Sequence, residues 1–104
     1  MITVNVLYRN TDALKFNMDY YLNSHIPMIH RLLGTALKGV MVQHGVGGGA
    51  PGSKPDFLVI TQLRFDSVDS YQKAFGPHAA EVIGDLPNFC NEQPVLQVSE
   101  VRVG

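Results

Sequence analysis

The chain has 104 residues, 45% of them hydrophobic and 16% charged, with a formal net charge of −1. That length allows one small domain and no second, and eight scattered Lys and Arg residues exclude nucleic-acid binding through a basic face. The low charged fraction suggests that another subunit covers part of the surface.

Residues 2–8 alternate as a strand, with Ile2, Val4, Val6 and Tyr8 on one face. The amino terminus carries no charged leader, long apolar core or small-residue cleavage site, so no signal peptide is expected. No apolar run approaches the ~20 residues of a membrane span. A single cysteine, Cys90, permits no intramolecular disulfide, which fits a reducing, cytoplasmic setting. Cys90 reads as a small apolar filler, since no histidine lies near it in sequence to make it a nucleophile.

A polar turn at 9–12 leads to a first helix, capped by Asn17 and ending at Gly34, which suits a left-handed C-terminal cap. Pro27 inside it predicts a kink or a split, with carbonyls freed near Asn23. Met18, Tyr21, Leu22, Ile29, Leu32 and Leu33 form one apolar stripe at helical spacing, and His25 falls inside it. Burying an imidazole without a hydrogen-bond partner is costly, so either a structural acceptor or a ligand should face His25. Tyr21, one turn earlier, can meet it at i, i+4. Such a pair is a plain structural contact or a means of polarising a substrate carbonyl. Tyr20 projects to another side, as does His30.

A second strand is expected over 37–46, carrying His44, and then a Gly- and Pro-rich connection over 47–55. Gly45, Gly47 and Ala50 match the dinucleotide-binding spacing G-x-G-x-x-A, but Pro51-Gly52-Ser53 follows where a helix should open, so the segment reads as a flexible hairpin loop. The third strand, 57–65, is the clearest: Phe57, Val59, Thr61, Leu63 and Phe65 alternate with Leu58, Ile60, Gln62 and Arg64.

A second helix, capped by Asp66 or Ser67, runs to Phe75, is broken by Gly76-Pro77, and resumes from His78 to about Gly84. In that first turn the helix dipole disfavours imidazolium, so His78 is a candidate general base or a simple capping residue. A turn at Pro87-Asn88 precedes a last strand over 94–103. No two of the four histidines have metal-site spacing, so no metal is expected.

The order β-α-β-β-α-β predicts an α+β, ferredoxin-like fold: a four-stranded antiparallel sheet with its helices on one face. The third and last strands carry apolar groups on both faces, which points to a homodimer packed through the sheet faces.

Tyr20-Tyr21 with His25-Ile26-Pro27-Met28 resembles the Y-Y-x-x-x-H-x-P signature of the ethyl tert-butyl ether degradation (EthD) family. Phe75-Gly76-Pro77-His78, the Pro87-Asn88-Phe89 turn and the closing Gln93-Pro94 strand also look like small bacterial members. The resemblance spans nearly the whole chain and implies a dimeric α+β barrel with a ligand pocket between sheet and helices in each subunit. Relatives in that superfamily include cofactor-free monooxygenases, lactone isomerases, polyketide cyclases and proteins of no assigned activity. The implied function is a cofactor-independent, monooxygenase-like oxidoreductase acting on a small apolar or aromatic compound. His25 or His78 would hold a proton and Tyr21 would hydrogen-bond a substrate oxygen; Tyr20, Phe57, Phe75 and Asn88 are candidate substrate contacts. The alternatives are a cofactor-free isomerase or cyclase, a binding or accessory protein for a hydrophobic metabolite, and a structural dimer whose histidines are satisfied internally.

Overall fold

The computed structural model describes residues 1–104. Four strands, β1 (Ile2–Arg9), β2 (Gly39–His44), β3 (Phe57–Phe65) and β4 (Val95–Glu100), form one antiparallel sheet in the order β2-β3-β1-β4. Helical segments fill the two crossovers, giving the expected βαββαβ, ferredoxin-like arrangement. β1 pairs with β3 so that Val6 faces Thr61 and Tyr8 faces Val59, and with β4 so that Val6 faces Leu96. β2 is shorter than the 37–46 expected because Gly34–Ala36 form a 3₁₀ turn first, entered through Gly34 at φ +57°. β4 likewise ends at Glu100, short of 103.

The first helix departs most from expectation. Asn17 does cap it, its side chain accepting the Tyr20 amide at 3.0 Å, but α1 (Met18–Tyr20) gives way at once to a π-helical turn, Tyr21–His25, before α2 (Ile26–Leu33). The Ile26 amide donates to the Tyr21 carbonyl, five residues back. The irregularity therefore begins well before Pro27, which sits in the first turn of α2, where a missing amide hydrogen costs least. The wide turn also breaks the stripe. Tyr21, His25, Ile29 and Leu33 are buried, whereas Leu22 rotates outward to 46% exposure.

The second crossover holds α3 (Val68–Phe75), capped by Ser67 through the Ser70 amide, a 3₁₀ turn (Gly76–His78), and α4 (Ala79–Gly84). A further 3₁₀ turn, Leu86–Asn88, leads back to β4. Two buried clusters result. One joins Ile2, Val4, Ile29, Leu33, Leu63 and Phe65; the other joins Tyr8, Tyr21, Val59, Leu86, Phe89 and Cys90. No helix is long and apolar enough to cross a membrane.

Candidate functional site

The two clusters do not merge. Between them, under the helices and over β1 and β3, lies a cavity of about 190 Å³. Val4 and Leu63 bound it on one side and Tyr8, Tyr21 and Phe89 on the other, with Phe75 from α3 closing a third wall. Ile83 and Leu96 also line it and are 59% and 62% exposed, so the mouth opens between α4 and β4. This volume exceeds the ~150 Å³ that admits a benzene ring and falls short of ordinary drug-sized pockets. One or two fused rings fit it.

The walls are apolar except at a few points. The Tyr21 hydroxyl and Thr61 Oγ1 are bonded to each other at 2.6 Å, both buried. Burial pushes the Tyr21 phenol above its ordinary pKa, although the Thr61 bond works the other way. Burial and the neighbouring Tyr21 push the Tyr8 phenol up as well. Both phenols therefore stay neutral in ordinary buffers and are donors or spacers, not bases.

His25 is the exception. The π turn presents its ring parallel to Tyr21, with centroids 5.3 Å apart and planes at 16°, and against Phe89 at 4.5 Å. The sequence expectation that Tyr21 and His25 meet at i, i+4 thus takes the form of a stack, not a hydrogen bond. Nδ1 lies 2.8 Å from Asp85 Oδ2. His25 is 6% exposed and lines the cavity, and its Nε2 has no protein partner and is not sealed off.

Asp85 follows α4 directly and holds three donors. Oδ2 accepts from His25, while Oδ1 accepts from the Tyr20 hydroxyl at 2.7 Å and Asn88 Nδ2 at 2.8 Å. Burial works to raise this carboxyl's pKa, but the bonds from Asn88, Tyr20 and His25 outweigh it and hold the group below its ordinary range. The bond to Asp85 is in turn the main cause that raises the Tyr20 phenol.

Of the residues singled out from sequence, His25, Tyr21 and Phe75 reach the cavity. Tyr20 and Asn88 do not line it and meet Asp85 instead. Phe57 starts β3 under the Arg9 guanidinium, 5.6 Å from its ring centre and away from the cavity. His78 is half-buried, closes the 3₁₀ turn before α4, makes no capping bond and does not line the cavity. No group of three or more His, Cys, Asp or Glu side chains is arranged to hold a metal ion.

Sequence reading missed Asp85, Thr61 and Phe89. Two signals existed. A carboxylate just past a helix C-terminus opposes the dipole and needs compensating donors, and Asp85-Leu86-Pro87-Asn88 places an amide side chain three residues on. Thr61 is the one polar residue on the inward face of β3 between Val59 and Leu63.

The EthD domain model matches residues 13–93. Among solved structures, the chain is similar to an EthD-like protein from Ralstonia eutropha, with 38% identity and a TM-score of 0.92 over 98% of this chain and 92% of that one. It also resembles an ethyl tert-butyl ether (EthD) family protein from Bacillus halodurans, at 19% identity and a TM-score of 0.74 over 97% and 98% of the two chains. A protein of unknown function from Bacteroides fragilis, described as dimeric and of ferredoxin-like fold, shares the fold at 11% identity and a TM-score of 0.52, covering 96% and 94%. No curated protein matches the sequence.

Proposed function

The chain belongs to the EthD family, and from that premise we propose that it is a cofactor-independent catalyst whose His25 takes a proton from a small apolar or aromatic compound bound in the cavity. One observation carries the reading: a buried imidazole that lines a mostly apolar cavity and keeps one nitrogen without a protein partner. A ligand with an acidic O–H or C–H beside a carbonyl supplies the proton that this nitrogen lacks. Tyr21, stacked on the ring and tied to Thr61, keeps the imidazole in plane, and Phe75 packs on the ligand.

Two outcomes are open to the resulting carbanion. Reprotonation elsewhere gives an isomerisation. Addition to O₂ gives a peroxide, which takes up the proton and loses water, so that a methylene plus O₂ becomes a carbonyl plus water. The second is the monooxygenase-like reaction of our reading, and it needs no electron donor beyond the substrate. We further propose that the molecule is a homodimer through the open face of the sheet, where Leu7, Ile60 and Val95 lie in register beside Leu58.

The pairing of Tyr21 with Thr61 favours one competing reading. With those two hydroxyls bonded to each other, they offer a ligand less than two free hydroxyls would, which suffices for binding without turnover. Exchange of α-protons separates the two. The enzyme reading expects the protein to accelerate deuterium uptake at the α-carbons of 2-tetralone in D₂O, and His25→Gln to lower that rate by on the order of 10²–10⁴. Binding of 2-naphthol with no acceleration of exchange by the unaltered protein would leave only the binding reading.

A further inference from the structure

We infer that Asp85 is a positioning residue, which with Tyr20 and Asn88 fixes His25 in the tautomer whose Nε2 lone pair faces the cavity. The inference deepens the proposed proton-acceptor role of His25 and rests on it for its catalytic meaning. The tautomer itself is a property of the unliganded protein.

A neutral imidazole carries one N–H and one lone pair, and a carboxylate can only accept. At 2.8 Å, Asp85 Oδ2 therefore requires the proton on Nδ1, leaving the lone pair on Nε2. The two carboxylate oxygens are not equivalent. Oδ2 serves His25, whereas Oδ1 serves both Tyr20 and Asn88. Two donors on one oxygen lock the plane of the carboxylate. Their origins matter too. Asn88 belongs to the same turn, its amide donating to the Asp85 carbonyl at 3.0 Å, and Pro87 fixes the backbone between them. Tyr20 comes from the helix that bears His25, so it ties the carboxylate to the element it must orient. Tyr20 and Asn88, expected from sequence to touch substrate, thus act through Asp85.

A plain structural ion pair would need only some contact between His25 and Asp85. Positioning makes a sharper demand on the variant Asp85→Asn. Tyr20 and Asn88 both donate toward the Oδ1 position, so a carboxamide must place its oxygen there and turn its NH₂ toward His25. Nδ1 then has to accept, and the ring proton moves to Nε2. The cavity would face a donor where it faced a base.

The test uses long-range ¹H–¹⁵N correlation spectra of the full ¹⁵N-labelled chain at about pH 9, above the ordinary histidine range, with circular dichroism as a control on folding. The unaltered protein is expected to show His25 protonated on Nδ1, and Asp85→Asn to show it protonated on Nε2. The same variant is expected to lower 2-tetralone exchange by on the order of 10²–10⁴ while still binding 2-naphthol. An Nε2-protonated ring in the unaltered protein overturns the inference, and this arm needs no variant to fold. The same tautomer in both proteins overturns it as well. A tautomer that flips with no change in exchange upholds the positioning of His25 and removes its role as base, so the two ideas fail separately.

Discussion

At Asp85 two opposing effects meet: burial favours the neutral acid, and three donated hydrogen bonds favour the carboxylate and prevail. With the folded pKa below the unfolded one, the group contributes stability that is complete above the ordinary aspartate value near ~3.9 and is lost as pH falls through the folded value. Urea midpoints measured from pH 6 down into the acid limb should therefore fall more steeply for the unaltered protein than for Asp85→Asn; equal slopes would contradict the assigned bonds. Thr61 makes a separate claim on stability. Thr61→Val keeps the shape and leaves the Tyr21 hydroxyl buried without its partner, at a cost of ~1–3 kcal/mol. A thermal unfolding curve unchanged by that substitution would show that the hydroxyl finds another partner. At this scale the sequence was half legible. His25 announced itself as a polar residue on a buried stripe, but its acceptor lies 60 residues away, and nothing in local spacing pairs the two.

The π turn is the element on which the site depends. It lets Tyr21 and His25 stack while Tyr21 reaches Thr61 on β3 and His25 reaches Asp85 beyond α4. Deleting Ser24, which is exposed, would restore ordinary helical pairing, but the residues before the deletion would rotate by ~100° relative to those after it. Only one of the two contacts could then survive. The deletion variant is expected to keep its far-UV circular dichroism and lose 2-naphthol binding; retained binding would show that the wide turn is incidental. The strands were the legible part, and β3 occupies the residues expected of it because both flanks carry turn signals. The helix was misread because periodicity assumes one pitch throughout. A five-residue change of winding leaves the apolar residues in place while moving Leu22 out to solvent.

For the whole molecule, the buried set is thin: 14 of 104 residues, which leaves the sheet's open face as reserve apolar surface. Leu7, Ile60 and Val95 align across three strands there, with polar Asn5, Gln62 and Gln97 one pair further along. An isologous partner would cover both zones. Sedimentation equilibrium should give twice the chain mass for the unaltered protein and the single-chain mass for Ile60→Asp, whose carboxylate would be buried without a partner. A monomer in both would remove the proposed dimer without touching the cavity, which lies on the other side of the sheet.

The central claim is that a ligand meets Nε2 of His25 inside the cavity. Titrating 2-naphthol into the ¹⁵N-labelled chain and following the histidine ring nitrogens tests it most directly. The account predicts a saturable shift at His25 Nε2 far larger than at Nδ1, with the rings of His30, His44 and His78 unmoved. Saturable binding that leaves Nε2 of His25 unchanged, or that moves His78 instead, would contradict it.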